Sequence, residues 1–191
     1  MNNFSIFLNK KTNSLGNIRR LANDLYLIHQ AFYAFLGNSY QKNHIQEHFD
    51  ILQDELGLTE RGQTKKYGTI SHAELWLKDL KVDISDIKMI PSHEITPFIR
   101  LCYTTWQDSE KSEAFVAAVE GIAEDFVNSL GVALKASGFE ELLSVYVHCD
   151  PEVGIEVSHM KETIKFKQGQ YYQEYTEIVT NVFCSLASHF D

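Results

Sequence analysis

Apolar residues recur at three- and four-residue spacing along most of this chain, the pattern of helices with one face turned inward. Ile18, Leu21, Leu25, Ile28, Phe32 and Phe35 form the first stripe. It predicts a helix over about 16 to 36, closed by Gly37-Asn38 as a C-cap. Tyr40, Ile45, Phe49, Ile51 and Leu52 predict a second over about 39 to 57, closed by Gly57. LTERGQTKKYGTI, residues 58 to 70, reads as a loop or short extension. Ser71, with Glu74 in the capping-box position, opens a third helix through Leu75, Trp76, Leu77 and Leu80.

Asp83 to Ile90 reads as a short helical piece stopped by Pro91. Thr96-Pro97 opens the next helix, with Phe98, Leu101, Cys102 and Trp106 inward. A strong amphipathic helix follows from Ser112 to Leu130, carrying Glu120 on or beside its apolar stripe. Gly131 to Gly138 either prolongs it or loops out, and Phe139 to His148 is apolar and helical. Asp150-Pro151 is either an N-cap with Pro at the first position or a kink. The last helix is expected over about 169 to 189. The sum is one all-α domain, residues 1–191, of about seven to eight helices, with 1–13 an extended lead that Phe4, Ile6, Phe7 and Leu8 can anchor.

Hydrophobic residues make up 44% of the chain, enough for a substantial core. Seventeen Lys and Arg against 26 Asp and Glu give a net charge of -9. That excludes nucleic acid and anionic membrane as the main partner. No apolar run is long enough to span a bilayer, and the start lacks the small-residue cleavage site of a signal peptide. Three Cys without paired spacing argue against a disulfide framework and a zinc site, which points to a reducing cytoplasm.

Phosphate loops, dinucleotide fingerprints and nucleophile elbows are absent. What remains is a set of carboxylates and imidazoles. In CDPEVGIEVSHMK, residues 149 to 161, a helix would put Glu152, Glu156 and His159 on one stripe. Such a stripe is either solvent-facing or half of a metal site. Glu55, His72 and Glu120 stand where the other half could come from. Iron(II) and manganese(II) suit carboxylates and imidazoles drawn from several helices of a bundle. The bland alternative for each is a solvated helix charge, and for His29, His44 and His48 a surface or core-edge histidine. Tyr103, Trp106 and Tyr146 read as core residues or as the lining of a substrate pocket.

The stretch ILQDELGLTERGQTKKYGTISHAELWLKDL, with VAAVEGIAEDF, resembles the heme-oxygenase-like di-iron oxidases. The resemblance covers residues 18 to 185 or so and implies a helical bundle of that type. It implies that Glu55, His72 and Glu120 are metal ligands. The family's last motif, His-x-x-x-Asp-x-x-His, is altered, and two registers compete. One places Glu152, Glu156 and His159 at its three positions. The other places Tyr146, Asp150 and Val153 there.

By this resemblance the chain is an iron-dependent oxidase or oxygenase, a non-heme di-iron oxidoreductase that acts on a small metabolite with O2. Iron would number two per chain with an intact site, and one or none if the altered motif breaks it. A homodimer is allowed for. Relatives of the thiaminase-type TenA and pyrroloquinoline-quinone-synthesis kinds work without metal. A metal-free member that binds or converts a small organic ligand is therefore the alternative, and a protein-interaction module is a third.

Overall fold

The computed structural model describes residues 4–60, 62–64, 66–149 and 169–191. Among them are seven α-helices and short 3-10 turns, with no strand beyond an isolated bridge between Thr64 and Gly68. The helices are α1 (Leu15–Asn43), α2 (Gln46–Glu55), α3 (His72–Asp79), α4 (Thr96–Thr104), α5 (Ser109–Ala136), α6 (Leu143–Cys149) and α7 (Gln170–Ser185).

Helix α1 begins where Ser14 accepts a hydrogen bond from the Asn17 N–H. It runs through Gly37-Asn38 instead of stopping there, because Leu36 and Ser39 are buried on either side of the pair. The modest helix penalty of one Gly is outweighed by that burial. The stop comes at His44, whose left-handed backbone (φ 56°) terminates the helix. The second helix is shortened accordingly, beginning at Gln46. Ser71 caps α3 as expected, its hydroxyl accepting from the Glu74 N–H.

Residues 83 to 90 form no full helix, only a 3-10 turn over Ile84–Asp86. Asp108, not Ser112, opens α5 by accepting from the Lys111 N–H. That helix continues through Gly131 to Ala136, so the ambiguous stretch is helical. A Cβ on Gly131 would stand 2.9 Å from Val145 Cγ2, so the Gly lets α6 lie close against α5.

α5 and α7 pack along one another, and α1 packs on α2, α3 and α4. Between them lies a phenylalanine core. Phe115 contacts Phe35 at 5.0 Å and Phe98 at 5.4 Å, and Phe126 stacks on Phe183 at 4.3 Å between ring centroids. The lead is anchored by two of its four apolar residues. Phe4 and Phe7 are fully buried against Phe126, whereas Ile6 and Leu8 are exposed. No helix among the described residues is long and apolar enough to cross a membrane.

Candidate metal and ligand site

Three helix ends meet in the interior. Glu55 is the last residue of α2, His72 the first of α3, and His148 stands one residue from the end of α6. All three are buried, and one ligand-type atom of each lies within 4.8 Å of the others.

The turn after α2 makes this meeting possible. Gly57 holds a left-handed backbone (φ +66°), and a Cβ there would strike the Ile70 carbonyl. Gly62 is equally close to the Asp54 backbone. The chain therefore folds back tightly on itself and returns His72 to the side of Glu55. Only Gly tolerates both the conformation and the approach.

His72 Nδ1 lies 3.3 Å from Glu55 Oε2, and its Nε2 lies 3.4 Å from the Gly62 carbonyl. When Nε2–H donates to that carbonyl, Nδ1 turns a lone pair toward the carboxylate. A pair in that state is held by a cation between them, either a proton on the ring or a metal ion. The rings of His72 and His148 meet edge to face with centroids 4.6 Å apart. Burial alone would push the Glu55 carboxyl up. The His72 imidazole, with His148 and His29 further off, outweighs this and holds it well below the usual carboxylate range. A buried ionised carboxylate beside two imidazoles is a donor set that fits a divalent first-row metal.

Beside the cluster is a small cavity of about 50 Å³. Its polar lining is Glu55, Glu120, His148 and His29, and the rest is apolar, with Phe32, Trp76, Phe98, Phe126 and Phe183 prominent. Glu120 reaches it from α5 and is only 3% exposed. His29 comes from α1, its Nδ1 2.7 Å from the Leu25 carbonyl. Burial lowers its pKa, partly offset by Glu55.

Of the residues singled out in the sequence, the structure thus brings Glu55 and His72 together and places Glu120 on the adjoining cavity wall. Glu152, Glu156 and His159 lie outside the described residues, as do Asp150 and Val153 of the second register. Tyr146, of that register, is 41% exposed on α6, so it points away from the cluster. The sequence leaves Tyr103 and Trp106 open between core and pocket lining. Tyr103 is 61% exposed, one residue past the buried Cys102 and therefore turned off the inward face of α4. Trp106 packs half-buried on the core and is not part of this cavity's lining.

His148 is the residue that sequence reasoning missed. A signal was present, because His148 and Glu152 are spaced as the first two positions of His-x-x-x-Asp-x-x-His, a register that leaves Ile155 at the third. Of the three histidines read as surface or core-edge, His44 is exposed and His29 is partly buried. His29 lines the cavity, and His48 is fully buried with Nδ1 2.9 Å from Ser39 Oγ.

Fold and site together define an all-α bundle with two imidazoles and one carboxylate buried where three helix ends converge. Among solved structures the chain is similar to a CADD-like protein of unknown function from Nostoc punctiforme PCC 73102, seen in two crystal structures. One aligns with a TM-score of 0.66 at 12% identity, covering 93% of this chain and 84% of that one. The other aligns with a TM-score of 0.64 at 14% identity, covering 92% and 80%. No family model and no curated protein matches the chain by sequence. The likeness is one of fold, an all-α helical bundle.

Proposed function

We propose that this chain is an iron-dependent oxidase or oxygenase that acts on a small metabolite with O2, using Glu55, His72 and His148 as its metal-holding core. The observation that carries the reading is the convergence of those three buried side chains within 4.8 Å. Two histidines and one carboxylate with further positions open is the donor set of non-heme iron(II) oxygenases. When bound, the iron supplies the redox chemistry with O2. The protein's own residues supply the rest. Glu120 and His29 add one carboxylate and one imidazole at the cavity wall, available to complete the metal's ligands or to orient the substrate. The phenylalanine and tryptophan side chains keep water out and favour an apolar substrate body. Glu152, four residues after His148, is a further candidate ligand.

The mainly apolar cavity lining also favours a second reading, a metal-free member of the fold that holds a small organic ligand. Iron content separates the two. Protein loaded anaerobically with ferrous iron and desalted should retain about one or two iron per chain, and His148→Ala should lose it. Glu120→Ala should keep its helical fold while losing iron if Glu120 is a ligand. A wild-type protein that retains no iron would overturn the oxidase reading.

A further inference from the structure

Glu55, His72 and His148 all sit at or next to helix ends. Two hydrogen-bonded braces from outside the cluster hold them. The first is Tyr33, in the middle of α1 and 8% exposed. Its hydroxyl donates to the Glu55 carbonyl at 3.3 Å and accepts from the Ala73 N–H at 2.9 Å. One oxygen thus satisfies a carbonyl at the end of α2 and an amide in the first turn of α3, groups that helices leave without intrahelical partners. It ties Glu55 itself to the neighbour of His72.

The second brace is Asp79, the last residue of α3. Its carboxylate accepts from the Ser144 N–H at 2.8 Å and from the Ser144 hydroxyl, at the start of α6. The end of α3 is thereby fixed to the start of α6, and the two helices run antiparallel. His148, near the far end of α6, is delivered against His72 at the start of α3. The α3 helix is held to its partners at both ends, at Ala73 by Tyr33 and at Asp79 by Ser144.

Building on the metal-site reading, we infer that Tyr33 and Asp79 are positioning residues that set the spacing of Glu55, His72 and His148. Neither is one of the three donors. Their effect is on how closely the three donors match a coordination sphere, which tolerates misplacement of only about 0.5 Å. Outer partners of this kind affect metal affinity by about 10- to 100-fold.

Cobalt(II) titration of the whole chain, followed by visible absorption, tests the inference without relying on turnover. Tyr33→Phe removes both hydrogen bonds and keeps the ring, and should weaken cobalt binding at least about tenfold. Asp79→Ala should do the same. Asp79→Asn should bind nearly as the wild type, since its amide oxygen can take the place of the one carboxylate oxygen that accepts from both the Ser144 N–H and the Ser144 hydroxyl. Ser14→Ala, which removes a helix cap at the start of α1, is the control and should leave affinity unchanged. Should Asp79→Ala fail to fold by circular dichroism, Tyr33→Phe decides the matter. Wild-type affinity in Tyr33→Phe, or an Asp79→Asn variant as weak as a folded Asp79→Ala, overturns the positioning role. A wild-type protein that binds no cobalt overturns this inference and also counts against the metal-site reading.

Discussion

Lowering the pH from 7 to about 4.5 is expected to destabilise this protein through His48 before most of its carboxylates are protonated. The ring is fully buried between α1 and α2. Burial, offset only in part by Glu47, lowers its pKa from 6.5 to about 4. The folded state therefore resists a proton that the unfolded chain accepts. Stability is at its full value above pH 6.5, declines as pH falls below it, and levels off below about 4. At about 1.4 kcal/mol per pH unit, the full loss is about 3 kcal/mol. About 1 kcal/mol is gone by pH 5.5 and about 2 kcal/mol by pH 4.5.

Carboxylates held low in the folded state act later. In Asp24, burial is outweighed by the hydrogen bond from His189, and its contribution is lost only as pH drops below its unfolded value of 3.8. The assay is urea unfolding by far-UV circular dichroism at pH 7, 5.5 and 4.5, on the wild type and His48→Leu. Leucine fills a similar volume without titrating. It should be the less stable protein at pH 7, having lost the hydrogen bond to Ser39, a deficit of about 1 kcal/mol. The deficit should close and then reverse by pH 4.5. Parallel profiles for the two proteins would refute the argument.

Gly57→Ala should cost at least about 2 kcal/mol in urea unfolding. It combines a left-handed backbone, worth about 1–2 kcal/mol, with a Cβ pressed on the Ile70 carbonyl. A neutral result would contradict the tight turn that returns His72 to Glu55. Phe115→Ala, at a 0% exposed position ringed by Phe32, Phe35, Phe98 and Tyr175, should cost about 3–5 kcal/mol and lower the thermal midpoint by several degrees. A loss below about 1 kcal/mol would place that ring outside the core.

The elements were legible where local signals decide. Ser71 announces α3, Pro97 announces α4, and the apolar stripe of α5 is long enough to be unmistakable. Local signals decide less where a breaker meets a buried face. Gly37 reads as a stop and Gly131 leaves continuation or a loop open, and both lie inside long helices. Leu36 and Ser39 in one case, and Leu130 and Val145 in the other, make continuous packing worth more than a single Gly costs.

By itself the sequence determined that the chain is all helical, acidic and built around an inward face rich in phenylalanine, because periodicity and composition are properties of the string. It also marked Glu55, His72 and Glu120, through the resemblance of the stretches around them to metal-ligand motifs. Only the tertiary structure decided that His148 joins Glu55 and His72. That convergence depends on the Gly57 turn, on Gly131 admitting α6 against α5, and on Asp79 holding α6 antiparallel to α3. Distances between residues far apart in sequence are set by packing, which no local pattern along the chain records.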